Sequence, residues 1–127
     1  MTPDLEALAS SVVASPRWRW MPGMRAFLPA MGEMRGLAYR VPEGPTLIEA
    51  APNDGWWPDL TDPATLGCLL ALVREAWKDP GATCAPVVSG QVHLEDWEIV
   101  WYAPHLDREI RGATEAAALV AALLAAP

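Results

Sequence analysis

The sequence predicts an α+β fold in which a small antiparallel sheet of about four strands packs against two or three helices, in the order αββαββα. Three observations predict it: a well-capped helix signal in mid-chain, an uncharged apolar helix near the end, and two pairs of strand-like runs bounded by turn residues. With 127 residues, 52% of them hydrophobic and 20% charged, the chain has the size and composition of one domain spanning 1–127, with no sign of disorder or a fibrous repeat.

In residues 3–14, Leu5, Leu8, Val12 and Val13 recur at helical spacing, Thr2 suits the N-cap, and Pro3 sits at the first helical position, where its missing N–H costs nothing. The helix should stop before Pro16, because proline pushes its predecessor away from helical dihedrals. Residues 15–35 have neither helical nor strand period and read as a partly ordered segment. The runs 36–41 (GLAYRV) and 46–50 (TLIEA) read as strands of a hairpin turned at Pro42-Glu43-Gly44-Pro45. Residues 63–78 form the clearest helix, with Asp62 as N-cap, Pro63 at the first position and Asp79-Pro80-Gly81 as the stop. Its Leu66, Leu69, Leu70, Leu72, Val73, Ala76 and Trp77 cover an arc of roughly 160°, which makes a core face and leaves Arg74, Glu75 and Lys78 to solvent. The runs 86–93 and 97–103 are the next strands, joined at Leu94-Glu95-Asp96, with Trp97, Ile99 and Trp101 on one face. Residues 115–125, opened by Gly112-Ala113-Thr114, carry no charge after Glu115. That helix is either buried on two sides or lends its alanine face, Ala118, Ala121, Ala122 and Ala125, to a close neighbour.

The net charge of −7 is uneven: residues 1–40 hold five arginines against three acids, whereas residues 41–127 hold four bases against thirteen acids. Such a balance argues against direct nucleic-acid binding, which needs a basic field. Cys68 and Cys84 form no disulfide framework and no zinc-type spacing. The first residues lack the pattern of a secretory signal, and no segment approaches the ~20 apolar residues that span a bilayer. Reduced thiols, a cytoplasmic location and no membrane partner are the expectation.

Catalytic signals are sparse. His93, His105, Asp107 and Cys84 lack metal-ligand spacing, neither cysteine is paired with a base by any motif, and GxSxG, HExxH, GxGxxG and P-loop patterns are absent from the sequence. No enzyme activity, catalytic residue, cofactor or metal is expected.

Seven tryptophans are the informative excess. Trp77, Trp97 and Trp101 fall on apolar faces and read as core. In Arg17-Trp18-Arg19-Trp20 an extended chain would put both arginines on one side and both indoles on the other. Such a segment is either a flap burying its indoles over the edge of the core or a protein-binding hot spot, since tryptophan and arginine dominate interface energies. Trp56 and Trp57 follow the turn signal Asn53-Asp54-Gly55 and either project from a loop tip or plug the core beneath the next helix. A partner could instead meet the acidic body at Glu95, Asp96 and Glu98.

The segments PRWRWMPGM (16–24), PDLTDPATLGCLLALVREAW (58–77) and TEAAALVAALLAAP (114–127) resemble a group of small uncharacterised accessory proteins of temperate phages and prophages of proteobacteria. The resemblance spans about a third of the chain, and the last helix departs from the group in lacking a further acid among its alanines. It implies a non-enzymatic binder of a host or phage macromolecule, including an anti-defence inhibitor of the anti-CRISPR kind. Two other readings stand beside it: a self-associating structural protein that dimerises through the 115–125 helix, and a small hydrolase using His93 or His105 with Asp96 or Asp107.

Overall fold

The computed structural model describes residues 3–29, 37–43, 55–89, 92–103, 106 and 108–127, with the backbone alone at 88, 89 and 92–95. Among these, three helices and six short strands follow one another as α1 (Pro3–Val13), β1 (Arg25–Phe27), β2 (Ala38–Arg40), β3 (Trp57–Pro58), α2 (Pro63–Trp77), β4 (Thr83–Ser89), β5 (Val92–Val100), β6 (Arg111–Gly112) and α3 (Glu115–Leu124). The strands form two antiparallel three-stranded sheets, ordered β2-β1-β3 and β4-β5-β6. The protein is therefore α+β, with six strands in two sheets rather than about four in one. The added strands β1, β3 and β6 are two or three residues long, too short to show a period of two in the sequence.

Helix α2 begins and ends where its caps dictate. The Asp62 carboxylate accepts the Thr65 amide at 3.0 Å, satisfying a donor that the first helical turn leaves free. At the other end Lys78 turns left-handed with φ 55°, and its amide closes on the carbonyls of Arg74 and Glu75. The buried Asp79 then fixes the exit, accepting from the amides of Gly81 (3.2 Å), Tyr102 (2.9 Å) and Ala103 (3.1 Å). Helix α3 starts in the same manner, with the Thr114 hydroxyl oxygen accepting the Ala117 amide at 3.1 Å.

α3 is the centre of the molecule, packed against α1, α2 and all three strands of the second sheet. Ala116, Ala118, Leu119, Val120, Ala122 and Leu123 are buried, so the helix is covered on its leucine side and over part of its alanine side, where β6 approaches closely at Gly112. The Trp77 indole N–H donates to the Ala122 carbonyl at 2.8 Å, pinning α2 to α3. Around them Ala9, Val12, Met24, Leu69, Leu72, Val73 and Ile99 complete one apolar cluster that joins the three helices and the second sheet.

Several expectations need correction. Of the segment 15–35, residues 30–35 lie outside the described residues, and the rest contains the fully buried Met24 and the strand β1, whose inward residue is the small Ala26. Strand β2 pairs with β1, Ala26 opposite Tyr39, while the predicted partner run 46–50 and the Gly44-Pro45 half of its turn lie outside the described residues. Leu94, Glu95 and Asp96 are not a turn but lie within β5, and the chain reverses earlier, between the paired Ser89 and Val92. Trp97 is half-buried and outside the central cluster, and Trp101 lies beyond the end of β5, against Trp77 with ring centroids 5.0 Å apart.

Candidate functional site

The 17–20 segment is placed by the way α1 ends. Past Val13 the chain turns, with the Ser15 amide donating to the Val12 carbonyl, the Trp18 amide to the Ser15 carbonyl, and the Arg17 amide to the Ser15 hydroxyl, all at 3.1 Å. Beyond this turn the side chains divide as the alternation predicts. Arg17 and Arg19 are exposed, whereas Trp18 and Trp20 are half-buried, rest on the edge of the core, and meet edge to face with centroids 5.2 Å apart.

Beneath the segment lies a cleft of about 210 Å³, lined by Pro16, Arg17, Trp18 and Arg19 on one side and by Leu72, Glu75 and Ala76 of α2 on the other. The guanidinium of Arg19 grips Glu75 through two bonds of 2.7 Å each. That grip holds the Glu75 carboxyl below the usual range and raises Arg19. Both side chains are more than half exposed (52% and 61%), so the pair fixes geometry more than it adds stability.

Two groups at the cleft have no partner among the described residues. Among the described residues no carboxylate pairs with Arg17. The Trp18 indole nitrogen is closed to solvent and donates to no acceptor among the described residues, a state that costs about 1–3 kcal/mol for a buried neutral donor.

The other predicted contact residues are engaged elsewhere. Trp56 meets Tyr39 edge to face at 5.0 Å and Trp57 meets Phe27 at 6.2 Å, so this indole pair serves the first sheet rather than joining Trp18 and Trp20. On β5, Asp96 is exposed, Glu98 is half-buried with Arg111 3.7 Å away, and the Glu95 side chain lies outside the described residues. Among the described residues no ion pair joins Asp96 or Glu98 to Arg17 or Arg19, whereas Arg19 pairs with Glu75 across the sequence's charge division.

Neither thiol is prepared for nucleophilic work. Burial raises Cys68, whose Sγ sits 3.6 Å from the Pro22 carbonyl, and burial with help from Glu115 pushes Cys84 up to about 11. The side chains of His93, His105 and Asp107 lie outside the described residues. Among the described residues no three His, Cys, Asp or Glu side chains are grouped to hold a metal ion, and no helix is long and apolar enough to cross a membrane.

Sequence reasoning singled out one wall of the cleft and missed the other. Glu75 reads as a solvent-facing helix position, which it is, but its partner Arg19 lies 56 residues away and no local pattern reports such a pairing. Protein-family models, curated proteins and solved structures all yield no match to this chain.

Proposed function

We propose that the protein acts by binding another protein, with the 17–20 segment and the cleft beneath it as the contact. The observation that carries this reading is the half-buried Trp18 and Trp20 pair, flanked by the exposed Arg17 and Arg19, on an otherwise acidic body. Indoles held by the core present a large contact area with little entropy left to lose, and arginines beside them supply directional bonds. Acids such as Asp96 and Glu98 then contribute to steering rather than to the anchor.

The phage-type accessory role, with an anti-defence inhibitor as its sharpest form, rests on the resemblance of the 16–24, 58–77 and 114–127 segments. It agrees with a small acidic domain whose cysteines are both held as thiols. A homodimer through the 115–125 helix would have to use surface other than Ala118 and Ala122, which are fully buried within the protomer.

The test is affinity capture from bacterial lysate at moderate salt, with wild type compared against a folded Arg19→Ala, Trp20→Ala double variant. A partner retained by wild type and lost by the variant is the expected result, for a loss on the order of several kcal/mol is typical of hot-spot pairs. Equal retention of that partner by both proteins overturns the assignment.

A further inference from the structure

We infer that the cleft beneath the 17–20 segment takes a single carboxylate of the partner, either an Asp or Glu side chain or a free C-terminus. This rests on the protein-binding role proposed above and gives that partner a chemistry.

The charge count at the cleft sets the sign. Arg17 and Arg19 face it with one acid, Glu75, so one further negative charge brings the site to neutrality. Glu75 already shows which geometry Arg19 accepts, a fork of two 2.7 Å bonds to one carboxylate. Arg17, unpaired among the described residues, offers the same fork to an incoming group. Underneath, the buried Leu72 and Ala76 make an apolar floor, which strengthens any charge contact made above it.

Size then narrows the class. At about 210 Å³ the cleft falls below the roughly 300 Å³ at which cofactor and small-molecule sites begin, but it accommodates one side chain or a chain terminus. A run of phosphates fits less well, since Glu75 and the acidic body repel a polyanion far more than a lone carboxylate.

The Trp18 ring lines the cleft and meets Trp20 edge to face at 5.2 Å, and its indole N–H is buried with no acceptor among the described residues. A group seated against this ring changes the surroundings of that N–H, which makes it a spectroscopic reporter of binding.

The experiment is a titration of the ¹⁵N-labelled full chain, observing the indole N–H resonance of Trp18, identified by its loss in Trp18→Phe. The probes are a short end-capped peptide with one central Glu, its Gln counterpart, the Gln peptide with a free C-terminus, and a short oligo-dT. Saturable movement with the Glu or the free-C-terminus peptide, and none with the capped Gln peptide, is expected, and the two carboxylate arms separate side chain from terminus. Arg17→Gln should weaken that binding roughly tenfold, and Glu75→Gln, which removes the rival acid, should tighten it. No movement with either carboxylate peptide, equal movement with the capped Gln peptide, or movement with oligo-dT alone overturns the inference. If the carboxylate peptides fail while partner capture is still lost in the folded Arg19→Ala, Trp20→Ala variant, the carboxylate specificity falls and the protein-binding role stands. If they bind while capture is unchanged, the protein-binding role of the segment falls instead.

Discussion

Gly112 shows how much a single position can carry here. It lies in β6 directly against α3, and a Cβ built on it would come within 2.4 Å of the Ala118 backbone nitrogen and 2.7 Å of the Ala117 carbonyl carbon. Backbone cannot yield as a flexible side chain can, so the helix would have to move off the sheet. Gly112→Ala should therefore destabilise the protein by about 2–3 kcal/mol, the range of overpacking in a tight core. Urea unfolding measures this, and an unshifted midpoint would mean that α3 and β6 are not in close contact. Trp18 is the opposite case: its ring packs on the core edge while its nitrogen lacks a partner, so Trp18→Phe keeps most of the burial and should alter stability little. The sequence named Gly112 only as part of a helix-opening tripeptide. The reason it must be glycine is the close return of the first turn of α3 over it, at Ala117 and Ala118.

At the level of elements, the start of α2 is the best-determined junction in the molecule. Asp62 caps the helix, receives the Thr65 hydroxyl at 2.9 Å, and is gripped by both terminal nitrogens of Arg40 at 2.9 Å each. Arg40 also donates to the Gly23 carbonyl at 2.6 Å, and the Arg25 amide donates to the Thr65 hydroxyl at 2.8 Å, so β1 and β2 are tied to the first turn of α2. Asp62→Ala removes the cap and the arginine's acceptor together and should cost about 2 kcal/mol, the cap supplying most of it because the Arg40 side chain is 50% exposed. Asp62→Asn keeps an N-cap oxygen and should cost about half as much. Equal losses in the two variants, compared by chemical denaturation, would show that the charge outweighs the cap. Of this junction, Asp62 and Pro63 were legible in the sequence because capping is local. Arg40 was not, because an ion pair across 22 residues leaves no spacing to read.

For the whole molecule, the acids determine how stability responds to pH. The Arg40 fork, opposed by partial burial and helped by Thr65, holds Asp62 far below the ordinary aspartate range. Burial pushes Asp59 up, but the Thr61 hydroxyl and amide and the 2.6 Å bond from Arg25 outweigh it, leaving that carboxyl lowered too. Depressed folded values mean that the unfolded chain takes up protons first. Stability should therefore be fully present above about pH 4 and decline as pH falls below it, on the order of 1–2 kcal/mol once solvent screening is allowed for. Unfolding curves at pH 7, 5 and 3 test this, with a shallower decline expected in Asp62→Asn, and stability that holds or rises toward pH 3 would contradict it. Sequence alone was enough for the α+β class, the bounds of α2 and α3 to within a residue or two, the Asp62 cap, the Gly112-Ala113-Thr114 opening of α3 and the alternation of arginines and indoles over 17–20. Each of these follows from forces acting within a few residues: capping bonds, side-chain periodicity and proline's fixed dihedral. The folded arrangement was needed to see that the strands form two sheets, that Ala116, Ala118 and Ala122 of α3 are buried within the protein, and that Arg19 meets Glu75 to frame a cleft. Those outcomes depend on long-range pairing and close packing, in which two-residue strands and a cation opposite a distant acid are chosen by the fold around them.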